Sequence, residues 1–205
     1  MDHCCETEHS FDGASAAYKH VLWIVIFLNA AMFLVETSAG VLAKSMALRA
    51  DALDFLGDSV TYGISLYVIG ASLRWRAMAA LFKGLSLGIM GVWVFGATVY
   101  HTLVTGQPEP VTMGLIGALA LAVNVASAFL LFRFRNGDAN VRSVWLCSRN
   151  DAIGNVAVLV AAGLVQLTAM PWPDLVVAAG MSALFLKGAF AIVRHARADL
   201  ARAAA

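Results

Sequence analysis

Three aspartates lie in the stretch "RADALDFLGDS", residues Arg49 to Ser59, which otherwise resembles a membrane-spanning helix. Asp51, Asp54 and Asp58 are three and four residues apart, so on a helix they share one stripe. Each aspartate buried near the bilayer centre costs about 2.5–3.5 kcal/mol. No residue three or four positions from these acids is basic. Asp51 lies near the outer end of its span, whereas the two deeper acids need a cation, a proton or a water-filled cavity.

A second group of chemically active residues lies in "WLCSRNDAIGN", where Cys147, Asp151 and Asn155 are four residues apart and share a helix face. At about 1.5 Å per residue, Asp58 lies about 18 Å below the outer end of its helix, and Asp151 about 14 Å above the cytoplasmic end. In a hydrocarbon core about 30 Å thick these two depths nearly coincide. We therefore predict that two antiparallel helices face each other with carboxylates at mid-membrane.

Clustered carboxylates beside a thiol or an amide are ligands for a divalent metal ion. Oxygen ligands alone suit Mg²⁺ or Mn²⁺, whereas the sulfur of Cys147 shifts the preference toward Zn²⁺, Cd²⁺ or Co²⁺. A free cysteine is also common as a small core residue. Cys147 is favoured as a ligand because it is in register with Asp151, and Asn155 is its rival. Asp51 is a further candidate.

The composition sets the architecture that must position these residues. Of the 205 residues, 60% are hydrophobic and 13% charged, and the mean hydropathy is +0.78, which indicates an integral membrane protein. We predict an all-α, polytopic fold with six transmembrane helices. The predicted spans are Val21 to Ala43, Met46 to Leu73, Met78 to Thr105, Val111 to Phe134, Ser143 to Ala169 and Asp174 to Val193.

The distribution of Lys and Arg predicts the orientation, because cytoplasmic loops retain positive charge. On one side of a six-span protein only Lys44 and Arg49 are basic, whereas ten other basic residues, including Lys83, fall on the opposite side. Both termini are therefore predicted to be cytoplasmic. The predicted organisation is a polar cytoplasmic tail (1–19), a six-helix transport domain (20–195) and a short cytoplasmic tail (196–205).

The first tail carries several potential metal ligands, namely His3, Cys4, Cys5 and His9 with two glutamates between them. They would form a loose metal trap, or the composition is coincidental. Adjacent cysteines lack the separation of a zinc finger. The cysteines do not predict a disulfide framework, and a net charge of +1 without a basic patch does not predict nucleic-acid binding.

Three motifs together resemble the cation diffusion facilitator family of proton-coupled exporters of zinc and related divalent metals. They are "NAAMFLVETSAG" in span one, "SMALRADALDFLGDS" in span two and "CSRNDAIGN" in span five. The resemblance covers about Val21 to Arg194 and implies a transport site with two ligands on each of spans two and five. Carried over to this sequence, the ligands are Asp54, Asp58, Cys147 and Asp151. Zinc-selective members often carry histidine at the first and third of these positions.

The resemblance also implies the function. We expect efflux of Zn²⁺, and also of Cd²⁺, Co²⁺ or Mn²⁺, by proton antiport and alternating access, with no prosthetic group. The expected setting is a bacterial inner membrane, with a homodimer formed through the transmembrane helices. Many family members carry a cytoplasmic carboxy-terminal domain, and this sequence, which ends at Ala205, is expected to be a short form without it.

Two other functions compete with transport. An intramembrane aspartyl protease would use an aspartate dyad, but such enzymes carry Gly-x-Gly-Asp, and Phe55 stands where the first glycine is required. A membrane metal sensor or assembly partner would bind metal without moving it.

Four further polar residues in or near the spans receive expectations of their own. Glu36 either supports the ligands or packs helices. Asn124 is expected to join helices, Lys187 to extend toward the inner face and His101 to be structural.

Overall fold

The computed structural model describes residues 15–69, 72–104, 108–136 and 139–204. These ranges form six α-helices and contain no β-strand, which confirms the all-α prediction. The helices are α1 (Ala16–Leu42), α2 (Met46–Tyr67), α3 (Leu73–Val104), α4 (Pro110–Phe132), α5 (Ala139–Thr168) and α6 (Trp172–Ala204).

Five of these helices, α1 and α3 to α6, are long and apolar enough to cross a membrane. The exception is α2. Its 22 residues span about 33 Å, which is long enough to cross a membrane, but its composition is less apolar than that of the membrane-length stretches in the other helices. Arg49 and the three aspartates lie in its first four turns and lower its hydropathy. The charged residues that suggest a site therefore also set α2 apart from the apolar stretches of the other five helices.

The predicted span limits differ from the helix limits at most ends, and α1 and α5 begin at Ala16 and Ala139, earlier than the predicted Val21 and Ser143. The second span was predicted to reach Leu73, whereas α2 ends at Tyr67 because the chain turns immediately afterwards. Helix α3 begins at Leu73, before the predicted Met78, and α6 continues to Ala204 rather than ending at Val193. The ends of an apolar run mark where the chain leaves the lipid, whereas a helix ends at a turn or a cap. The limits of a span and of its helix therefore need not coincide.

A short connection makes α1 and α2 antiparallel neighbours. Ala43 closes α1 through its backbone N–H to the carbonyl of Ala39, and Lys44 adopts a φ of 53° in the turn. Ser45 then caps α2 by accepting a hydrogen bond from the backbone N–H of Leu48 at 3.1 Å. The turn is tied to the α3–α4 loop by a hydrogen bond from the backbone N–H of Glu109 to the carbonyl of Ala43.

The helices pack as two groups. Helices α1, α2, α4 and α5 form a four-helix arrangement, called here the central bundle, whose cores combine apolar side chains of these helices. Helices α3 and α6 pack along each other and form the α3–α6 pair. Close contact in this pair depends on glycine: a Cβ added at Gly84 would lie 2.8 Å from the Cγ2 of Val193. Helix α2 contacts both groups.

Candidate metal transport site

The aspartates of α2 are enclosed because that helix contacts all five others. Asp58 is buried, Asp54 is half-buried, and both point toward α5, where their carboxyl groups interact with that of the half-buried Asp151. We call Asp54, Asp58 and Asp151 the central acidic cluster. The structure thus brings together three of the residues predicted from spacing. Helices α2 and α5 thus present acids to each other inside the bundle.

Tyr62 is a member of this site that the sequence analysis did not identify. Its side chain is completely buried, and its hydroxyl donates a hydrogen bond to Asp58 one turn earlier on α2. The same hydroxyl lies 3.4 Å from the Oγ of Ser148 on α5. Tyr62 therefore links the two helices and fixes the orientation of the Asp58 carboxylate. The available signal was its spacing of four residues from Asp58, on the stripe of α2 that carries the three aspartates.

Cys147 is a free, half-buried thiol on the neighbouring turn of α5. It interacts with the Tyr62 hydroxyl and with the charges of Asp58 and Lys83. It also packs against an apolar cluster that includes Val144 and Leu131. Cys147 thus borders the central acidic cluster on one side and the core on the other.

Lys83 supplies a positive charge that the sequence analysis assigned to the cytoplasmic side. It lies ten residues into α3, where its Nζ donates a hydrogen bond to the Oγ of Ser65 at 2.9 Å. Its charge also interacts with that of Asp58. A basic residue of the α3–α6 pair is therefore directed at the central bundle and partly compensates the acids of α2. Linear spacing on α2 alone could not reveal it.

Asp51 and Asn155 form a separate arrangement. The Nδ2 of Asn155 donates to the Oδ2 of Asp51 at 2.5 Å, and the Nδ2 of Asn124 donates to the Oδ1 of Asn155 at 2.8 Å. Asn124 therefore joins α4 to α5 by a hydrogen bond, in the role expected of it. Glu36 of α1 interacts with Asp51 from the other side. We call Glu36, Asp51, Asn124 and Asn155 the outer polar cluster.

The predicted ligands are neighbours without forming a coordination shell in this conformation. Within the described ranges, no group of three or more His, Cys, Asp or Glu side chains is arranged so that it could hold a metal ion. The predicted amino-terminal trap of His3, Cys4, Cys5 and His9 lies outside the described residues. His101 lies 3.3 Å from the guanidinium of Arg49, and Lys187 is exposed on α6.

Comparison with known proteins gives the class. The family model described as the cation efflux transmembrane domain matches residues 22–201. The chain belongs to the cation diffusion facilitator family, and it is a multi-pass membrane protein. The family consists of transporters, so the chain is not an enzyme and the aspartyl protease alternative is excluded.

Several curated relatives carry descriptive names. The chain is 26% identical over 169 residues to the metal cation efflux system protein CzcD of Cupriavidus metallidurans, covering 77% of this chain and 54% of the relative. It is 23% identical over 204 residues to a cadmium, cobalt and zinc/H(+)-K(+) antiporter of Bacillus velezensis, covering 91% of this chain and 64% of the relative.

A third relative is the zinc transporter ZitB of Escherichia coli, with 26% identity over 186 residues, 84% of this chain and 59% of the relative. The chain thus spans between 54% and 64% of the length of these relatives.

Proposed function

We propose that this chain exports divalent metal cations from the cytoplasm in exchange for protons, with Zn²⁺ as the main substrate and Cd²⁺, Co²⁺ and Mn²⁺ as others. The observation that carries the proposal is the contact of Asp151 on α5 with Asp54 and Asp58 on α2 inside the membrane-spanning bundle. The relatives support the choice of cargo, since their names specify efflux of metal cations or transport of zinc. The proposed location is a bacterial plasma membrane.

The central acidic cluster is the proposed binding site, with Asp54, Asp58, Asp151 and Cys147 as ligands. Ionised carboxylates hold a divalent cation, and protonated carboxylates release it, because the proton and the metal compete for the same oxygen atoms. Tyr62 keeps one oxygen of Asp58 in a hydrogen bond, which leaves the other oxygen for the metal. The sulfur of Cys147 favours softer divalent ions over Mg²⁺.

The two groups of helices offer a means of alternating access. Both halves of the proposed site belong to the central bundle, whereas Lys83 belongs to the α3–α6 pair. A relative motion of the two groups changes the distance between Lys83 and Asp58, and with it the electrostatic potential at the metal. Such a motion would open the site to one side of the membrane at a time. A homodimer formed through the membrane helices is part of the proposal.

Flux into proteoliposomes tests the function. The full chain is reconstituted with an acidic interior, and uptake of Zn²⁺, Cd²⁺, Co²⁺ and Mn²⁺ is followed with an entrapped metal-sensitive dye. We expect uptake that collapses when the pH gradient is dissipated and falls by at least about tenfold in Asp58→Asn and Asp151→Asn, because each removes a charged ligand. Glu109→Gln changes an exposed acid outside the bundle and should leave uptake unchanged.

Two outcomes would refute the proposal. Uptake insensitive to both aspartate substitutions would show that the ions do not pass through the central acidic cluster. Binding of metal by folded protein without uptake of any of the four ions would identify a sensor or an assembly partner instead. Comparison of Cys147→Ser with the wild type then shows whether sulfur sets the order of preference among the metals.

A further inference from the structure

The outer polar cluster contains two carboxyl groups that the proposed transport site does not use as its ligands. Glu36 lies on α1 and Asp51 on α2, with exposed fractions of 0% and 1%. Their carboxyl groups interact with each other across the α1–α2 contact. Acidic side chains are almost never fully buried unless paired, so two adjacent ones inside the bundle need either a cation or a proton to neutralise them.

Hydrogen bonding inside the protein does not satisfy this cluster. With both acids ionised, neither carboxylate oxygen of Glu36 has a hydrogen-bond donor among the described residues, and the same is true of the Oδ1 of Asn124. A proton shared between Glu36 and Asp51 would join the two carboxyl groups, and a bound cation would replace that proton. Asn155 donates from its Nδ2 to Asp51 and accepts at its Oδ1 from Asn124, and it makes no hydrogen bond to Glu36. The cluster therefore presents three buried oxygen acceptors that nothing in the described part of the chain fills.

The nearby positive charges are directed elsewhere. Arg49, on the same helix as Asp51, donates through Nε to the carbonyl of Gly40 and lies beside His101. Lys83 is hydrogen-bonded to Ser65. The charged groups that act most strongly on Glu36 are Asp51 and Asp54, both of the same sign. Among the described residues, no Lys or Arg side chain pairs with Glu36 or Asp51.

We infer that Glu36, Asp51 and the side-chain oxygen of Asn124 form a second binding site for a divalent cation, separate from the central acidic cluster. Its ligands are carboxylate and amide oxygens from α1, α2 and α4. A site made only of oxygen atoms prefers hard divalent ions such as Mn²⁺. The central acidic cluster has the thiol of Cys147 beside it, which favours softer ions. Asn155 orients Asp51 and Asn124 through the two hydrogen bonds described above.

The depth of the site indicates a role in release, and this role rests on the proposed function. Asp51 lies about 8 Å from the start of α2, and Asp58 about 10 Å further along the helix. With the predicted orientation, the second site is therefore on the outward side of the first. An ion leaving the central acidic cluster would be held at the second site before it reaches the outer surface, and a following ion would repel it.

Counting bound ions tests the inference. The purified 205-residue protein in detergent is dialysed against saturating Mn²⁺ or Zn²⁺ alone, and bound metal is measured per chain. We expect two ions in the wild type, one in Glu36→Gln, one in the Asp58→Asn/Asp151→Asn double variant, and two in the control Glu109→Gln. Asp51→Asn is a second variant of the same site, in case Glu36→Gln does not fold. Two ions retained in a folded variant of either residue would overturn the inference.

A measurement without any variant supports the count. Two Mn²⁺ ions about 10 Å apart along α2 broaden each other's electron paramagnetic resonance spectrum. We expect this broadening in the saturated wild type, and the spectrum of a single isolated ion at saturation would overturn the inference. Failure of the proposed function is distinguishable: it appears as absent flux whatever the ion count. Flux with an ion count insensitive to Glu36 would overturn the second site alone.

Discussion

Asp174 is predicted to contribute more to stability than any single exposed acid of the chain. It lies in the first turn of α6 with an exposed fraction of 1%. Its carboxylate accepts hydrogen bonds from the Oγ of Ser45 at 2.5 Å and from the backbone N–H groups of Met46 and Ala47 at 2.7 and 3.1 Å. These are the first residues of α2, whose N–H groups have no partner within their own helix. One helix thus caps another.

The magnitude follows from the groups left without partners. Asp174→Ala leaves two buried backbone N–H groups unsatisfied, at about 1–3 kcal/mol each, and removes a charge from the positive end of α2, at about 0.3–1 kcal/mol. We expect a loss of about 3–5 kcal/mol in the free energy of unfolding. Asp174→Asn retains one acceptor oxygen at the same position, so a smaller loss of about 1–2 kcal/mol is expected.

The assay is unfolding of the detergent-solubilised protein by increasing SDS, followed by tryptophan fluorescence, with Trp172 two residues from the substitution. Glu109→Ala is the matched control. Glu109 also caps a helix, accepting from the N–H groups of Val111 and Thr112 at 3.0 and 2.7 Å, but it is exposed and caps its own helix. Its removal should cost about 1 kcal/mol or less. If Asp174→Ala lost no more stability than Glu109→Ala, the argument from buried donors would be wrong.

Three further predictions concern other parts of the structure. Gly84→Ala should destabilise the protein by about 1–3 kcal/mol in the same assay, because the added Cβ would meet Val193. Gly96→Ala is the control, since no atom lies within 4 Å of a Cβ added there. Equal losses of stability in the two variants would contradict the close contact at Gly84. Lys83→Met should raise the calorimetric affinity for Zn²⁺ about tenfold by removing a charge that repels the cation, and unchanged affinity would show that Lys83 does not act on the site. Hydrogen bonding from Thr112 lowers the pKa of Glu109 below its ordinary value of 4.5. The ionised Glu109 cap therefore stabilises the folded protein fully above pH 4.5, and this stabilisation is lost as the pH falls through the lowered pKa. The difference in melting temperature between the wild type and Glu109→Gln should therefore disappear in acid, and a constant difference would contradict this cap.

The central acidic cluster was accessible from the sequence because its geometry is local. Helical periodicity places Asp54 and Asp58 on one face, and counting residues from the span ends brings Asp151 to the same depth. The all-α class followed from composition for a similar reason, since long apolar runs without charges must be helices in lipid.

The remaining contacts depend on which helices pack together and on how they are rotated, which a single sequence does not encode locally. Asp174 appeared only as the start of a span, yet it binds Ser45, which is 129 residues away. The sequence analysis counted Lys83 only among the charges that predict orientation. Its contact with Ser65 could not be predicted, because the side chain reaches Ser65 only where α2 and α3 pack together. Asn155 was in register with Asp151, but its partner Asp51 is determined by the rotation of α5 against α2.

The attachment of Asp174 to the start of α2 also has a mechanical consequence. It joins the α3–α6 pair to the central bundle at one end of the molecule, where Arg49 of α2 also lies 3.3 Å from His101 of α3. The link between Lys83 and Ser65 lies about 28 Å away along α2. Any relative motion that preserves the three bonds of Asp174 must pivot about the start of α2. Displacement then grows with distance from the pivot, so the gap at Ser65 widens most while the residues around Asp51 barely move.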